Sequence, residues 1–166
     1  MDEKILAKKA KNGDKEAFAK LYTLYKDKLY RYAFFKLKNE QDAMDAVSEC
    51  ICEAYRYIHS LKNLEAFSAW IFRILYRSCS HIIKEQVKSR EQEEIDENTA
   101  SYTEDFKKTE LSEALAILGE EEKDIVLLST VTGYNSKEIA KILGLKPNTV
   151  RSKLSRSLSK MREFLE

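Results

Sequence analysis

"SKEIAKILGLKPNTVRSKLSRS", residues 136–157, decides the fold. Two short helical patterns meet at a glycine, and the second is studded with arginine and serine. In the first, Ile139, Ile142 and Leu143 recur at helical spacing and give an inner face. Gly144 supplies the left-handed conformation that ends a helix, and Leu145 plugs the angle between the two helices. Pro147 suits the first position of the next helix, where a missing N–H costs nothing. Val150, Leu154, Leu158 and Met161 are the expected buried stripe of that helix. This is the spacing of a helix-turn-helix. The opposite side presents Asn148, Arg151, Ser152, Ser155, Arg156 and Ser159, side chains that donate to base edges and phosphates. A helix selected only for solvation would carry Glu and Lys rather than serines, which are mediocre helix formers. From Arg151 to Arg162 there is no acid at all. Ser136, Lys137, Lys146 and Thr149, at the starts of the two helices, complete the candidate duplex-DNA contacts.

The rest of the chain is helical in pattern too. With 4 Gly and 1 Pro in 166 residues, turn formers are scarce, and apolar residues recur at helical spacing throughout. The expected class is all-α, in two small helical domains. No apolar run is long enough to span a membrane, and the charged start "MDEKILAKKAKNGDKE" excludes a signal peptide, so no membrane insertion and a cytoplasmic location are expected. Cys50, Cys52 and Cys79 then read as reduced thiols, and with His59 and His81 they complete no zinc spacing, so neither metal nor cofactor is expected.

Net charge is +1, but it is unevenly spread. Residues 1–88 carry 17 basic and 12 acidic side chains, residues 89–110 carry 3 and 8, and residues 111–166 carry 9 and 8. The acidic, apolar-poor stretch at 89–105 reads as a flexible linker between an N-terminal domain (1–88) and a C-terminal one (106–166).

In the N-terminal block Asp14 is a predicted cap for a helix burying Phe18, Leu21, Tyr22, Tyr25, Leu29 and Tyr32. A short helix at about 3–11 precedes it. Asn39 caps the next, "DAMDAVSECICEAYRYI", which buries Ala43, Val47, Cys50, Ile51, Ala54 and Ile58. A third, "AFSAWIFRILYRSCSHIIKEQ", follows with Phe67, Ile71, Ile74, Ser78 and Ile82 inward. On the second of these, Asp42, Asp45, Glu49 and Glu53 share one face, and like charges four apart repel mildly on an isolated helix. On the third, Trp70, Arg73, Arg77, Ser80 and Lys84 line one side. Basic residues interleaved with an aromatic suit single-stranded DNA. No nucleophile–base pair or glycine-rich phosphate loop appears, so catalysis is not expected.

"GYNSKEIAKILGLKPNTVRSKLSRSLSKMREFL" resembles region 4 of the extracytoplasmic-function sigma factors of bacterial RNA polymerase. "DAMDAVSECICEAYRYI" followed by "FSAWIFRILYRSCSHIIKE" is similar to their region 2. The resemblance implies a non-catalytic initiation subunit with core RNA polymerase and promoter DNA as partners. Asp42, Asp45, Glu49 and Glu53 would dock on the clamp helices of the largest subunit, and region 4 would meet the flap of the second. The C-terminal helix would read the minus-thirty-five duplex. Asn63 in the loop from His59 to Glu65, with Trp70, Arg73, Arg77 and Lys84, would hold the non-template single strand at the minus-ten element. An anti-sigma factor is a further partner the family implies. The family commonly has Asn at Arg77, Asp at His81, a basic pair at Lys84-Glu85 and Gln at Ser48, so this chain departs there. A stand-alone helix-turn-helix regulator with an N-terminal dimerisation or sensing domain is the alternative.

Overall fold

Short polar side chains set the helix starts. In a computed structural model, which describes residues 2–92 and 109–166, Asp2, Asp14 and Asn39 cap helices α1 (Glu3–Lys11), α2 (Lys15–Leu37) and α3 (Glu40–Tyr57). Each carboxylate or amide oxygen accepts from a first-turn backbone N–H, an arrangement worth about 1 kcal/mol per cap. Two single turns of 3-10 helix, Ile58–Ser60 and Leu64–Ala66, lead into α4 (Phe67–Gln92). Helix α4 therefore continues through 89–92, where the linker was expected to begin. The rest of that expected linker, 93–105, lies outside the described residues.

The second group is α5 (Glu110–Ala116), α6 (Glu120–Thr130), α7 (Ser136–Leu143) and α8 (Pro147–Leu165). No strand occurs among the described residues, as the all-α expectation requires. Gly119 starts α6 as its N-cap.

Helices α2, α3 and α4 pack on one another with α1 against α2. Phe18, Leu21, Tyr25, Leu29 and Tyr32 of α2 meet Ala43, Val47, Cys50, Ala54 and Ile58 in a core close to the one expected. Tyr22, Ile51 and Ile82 are only partly buried. In the second group Leu115, Leu118, Ile125, Leu127, Ile139, Ile142, Val150 and Met161 fill the centre, while Leu111 is exposed. Full burial of one such aliphatic side chain stabilises by ~1.5–3 kcal/mol.

The two groups touch. Helix α6 lies against α2 and α7 against α4, so buried residues from both halves form one continuous cluster. Helix α4 has two buried lines. One is the expected Phe67, Ile71, Ile74 and Ser78; the other is Phe72, Leu75 and Cys79.

Candidate nucleic-acid interface

The helix-turn-helix is assembled by local chemistry. Asn135 and Glu138 form a capping box at the start of α7: Glu138 N–H donates to Asn135 Oδ1 (2.9 Å), and Asn135 N–H donates to Glu138 Oε1 (3.1 Å). Gly144 sits at φ 72°, and the Leu145 N–H reaches back to the Ala140 carbonyl (3.0 Å), the long bond of a Schellman motif. Pro147 is the first residue of α8.

Val150, Ser157 and Met161 are buried on α8, with Leu154 partly so. Leu158, expected in the stripe, is 37% exposed, and Ser157 takes the inward place. The steps 150, 154, 157 and 161 follow the 3.6-residue period more closely than a run through 158 does. Arg151, Ser152, Ser155, Arg156 and Asn148 are all exposed, as expected. Arg151 Nη2 donates to Asn148 Oδ1 (2.7 Å) and Arg156 Nε to the Ser152 carbonyl (3.3 Å), so both guanidinium groups are held along the helix surface. Lys137 and Lys146 are exposed, while Ser136 and Thr149 are partly buried. Two bases of α8 face elsewhere: Lys153 pairs with Glu121 and Lys160 with Glu122 (3.3 Å), both on the first turn of α6. The outward face is thereby narrowed to its arginines and serines.

At the other candidate site, buried Leu61 anchors the loop between α3 and α4 and leaves Lys62 and Asn63 exposed. Asn63 Oδ1 accepts from the Glu65 N–H (3.0 Å), so the side chain shapes the turn and keeps its amide donors. Trp70 is partly buried, its ring 5.9 Å from that of Phe67, which makes it in part a core residue. Arg73, Arg77 and Lys84 are exposed along α4 and make no ion pair among the described residues.

On α3, Asp45 and Glu49 are exposed and Glu53 partly buried, with no cation paired to any of them among the described residues. Asp42 differs: its Oδ2 accepts from Gln86 Nε2 of α4 (2.6 Å). Burial, then the neighbouring Asp45 charge, push its carboxyl above the usual range. No group of His, Cys, Asp and Glu suited to a metal occurs among the described residues, nor any helix long and apolar enough to cross a membrane.

Comparison with known proteins bears directly on this layout. Sigma-70 region 2 matches residues 21–88, and sigma-70 region 4 matches residues 108–161. RNA polymerase sigma factor SigV of Bacillus subtilis is 33% identical over 156 residues, 93% of this chain and 94% of that one. The chain is a sigma factor of the extracytoplasmic-function family. The sigma-E factor of Haemophilus influenzae, named as a member of the same family, is 27% identical over 100% of this chain and 94% of its own. CnrH, solved with the cytosolic domain of CnrY, superposes with a TM-score of 0.78 at 21% identity, covering 98% of this chain and 96% of that one. The sigma factor RpoE, solved with the anti-sigma factor NepR from Bartonella quintana, gives 0.73 at 19% identity, over 89% and 96%. Those two likenesses establish the fold. As a member of this family the sigma factor binds core RNA polymerase and directs transcription initiation at promoters. Membership sets aside the stand-alone regulator. The second buried line of α4 is what sequence reasoning missed, although the paired apolar positions 71/72 and 74/75 already widened that face.

Proposed function

We propose that α8 reads the minus-thirty-five duplex with Arg151 and Arg156 as its main base and phosphate contacts, supported by Asn148, Ser152 and Ser155. Lys137 and Lys146 flank it on the phosphate backbone, with Ser136 and Thr149 at the helix starts. In the N-terminal half, Asn63, Trp70, Arg73, Arg77 and Lys84 receive the displaced strand at the minus-ten element. Asp45 and Glu49, with Asp42 and Glu53 beside them, dock on core polymerase. The protein itself catalyses nothing; it works in the cytoplasm beside the polymerase. Residues 1–88 and 106–166 are the two working domains, with the acidic stretch 89–105 joining them. An anti-sigma factor is a further partner, which the RpoE pairing with NepR supports.

The observation that carries this reading is the exposed face of α8. Its arginines and serines are free of carboxylates, while Lys153 and Lys160 are drawn to α6. A bidentate arginine–guanine contact gives ~1–3 kcal/mol of discrimination. Replacing both Arg151 and Arg156 with Ala is therefore expected to lower transcription from a promoter carrying both elements by about tenfold or more, in a reaction with purified core polymerase. Unchanged transcription would sink the assignment of α8.

A further inference from the structure

Helix α1 is short, basic and pressed against the loop that carries Asn63. Leu6, Ala7 and Ala10 are buried, and the helix packs on α2 and on both single turns of 3-10 helix that bound the loop. Two side-chain bonds fix it there. Tyr25 Oη of α2 donates to Glu3, and Lys4 Nζ donates to Glu65 Oε1 (3.3 Å), two residues beyond Asn63. At 3.6 residues per turn, Lys4, Lys8 and Lys11 fall within about 60° of one another, on the flank that Lys4 turns toward the loop.

The acids of α1 and of the loop are all engaged. Asp2 caps the helix, Glu3 takes the Tyr25 hydroxyl and Glu65 holds Lys4. Lys8 and Lys11, with Lys62 exposed in the loop, pair with no carboxylate among the described residues. Cations at a helix C-terminus are favoured, but the partial charge they answer is only about half an elementary charge. That accounts for one lysine in the last turn, not for Lys8, Lys9 and Lys11 together. Like charges three and four apart repel mildly, so the row of bare cations weakens the helix that carries it.

An occupant of matching charge lies next to it. A single strand is held by cations that track its backbone beside the groups that take its bases. From Lys4 to Lys11 the helix rises about 10 Å. That is the length of about three nucleotides at ~3.4 Å per step. Resting on the reading in which Asn63 receives a base of the displaced strand, we propose that Lys8, Lys11 and Lys62 form a phosphate track on which that strand continues past the loop. Lys4 and Glu65 are the strut that sets α1 beside it. Contacts of this kind carry no sequence information; they add affinity and salt dependence.

The test measures how the full chain, bound to core polymerase, takes up the non-template single strand of a promoter it transcribes. One probe strand ends with the minus-ten element; a longer one runs about six nucleotides further on each side. Lys8→Gln with Lys11→Gln should weaken binding of the longer strand about tenfold at low salt. The fall of log K with log salt should become shallower by about 1.4, since each lost phosphate contact removes ~0.7. The shorter strand should bind both proteins alike, with helix content and affinity for core polymerase native. Lys8→Arg with Lys11→Arg should restore the slope, a rescue that a packing role would not produce. Should the Gln pair lose helix, Lys62→Gln lies outside any helix and should still flatten the slope by about 0.7 on the longer strand. A native slope in folded variants, an equal loss on the shorter strand, or a loss of core affinity in its place would overturn the track. Asn63→Ala separates the two readings. If it leaves strand binding native while the lysine pair still changes the slope, the base-reading role of the loop falls and the phosphate contacts stand.

Discussion

Gly144 carries the turn of the helix-turn-helix, and only its backbone conformation makes it irreplaceable. A Cβ there would meet nothing within 4 Å, so crowding is not the constraint. With φ at 72°, any L side chain pays the left-handed penalty of ~1–2 kcal/mol. Gly144→Ala should lower the melting temperature by about 3 °C, and Gly144→Asn by less, since Asn tolerates this region best. Calorimetry of the two variants checks the order. A residue of this kind is legible in sequence because the chemistry is local: Asp14, Asn39, Gly144 and Pro147 each act within four positions of themselves. Ser157 was not legible. Leu158 beside it is the more apolar choice, but the helix phase turns the serine inward, and its hydroxyl has no partner among the described residues. Nothing in the structure explains that orphaned group.

At the scale of one helix, α3 separates into roles that its sequence blends. Asp42 is tied to Gln86, while Asp45 and Glu49 remain exposed and unpaired with any cation among the described residues. Asp45 Oδ1 accepts from its helix neighbour Gln41 (3.0 Å). Reversing both charges, Asp45→Lys with Glu49→Lys, should weaken association with core polymerase about tenfold or more while leaving the melting temperature almost unchanged. A titration that finds native affinity would remove α3 from the docking surface. The acidic face was legible because solvated residues need no third dimension to be placed. The second line of α4 was harder to read, because its neighbours are distant in the chain: Phe72 stands edge-on both to Tyr32 of α2 and to Tyr134 ahead of α7. The same distance hides Lys153 and Lys160: by sequence they belong to a basic run, and only packing turns them toward Glu121 and Glu122.

For the whole molecule, the contact between α2 and α6 should weaken in alkali, because Lys36 of α2 pairs there with Asp124 and Glu120 of α6. Burial lowers the Lys36 ammonium, but Asp124 first and Glu120 with it outweigh that and hold its pKa above the ordinary lysine value. The groups around it are Tyr32 on α2, Cys79 on α4, and Glu120, Lys123 and Asp124 on α6. Tyr32 stays protonated through the same range, since burial raises it well above the usual phenol value. A cation stabilised in the packed form contributes fully below its ordinary pKa and is lost as pH rises through the raised one. The radius of gyration from small-angle scattering should therefore be constant between about pH 6 and 9 and grow only above about 10.5. Lys36→Met should lack that alkaline step. A step of equal size in the variant would assign it to another group.

The contacts of α6 with α2 and of α7 with α4 join two parts of one polypeptide. Tethering places each half in the neighbourhood of the other at an effective concentration on the order of millimolar. A contact too weak to hold two separate proteins together at cellular levels still forms within one chain at that concentration. Any partner that competes for the C-terminal half has to outweigh that tethered contact.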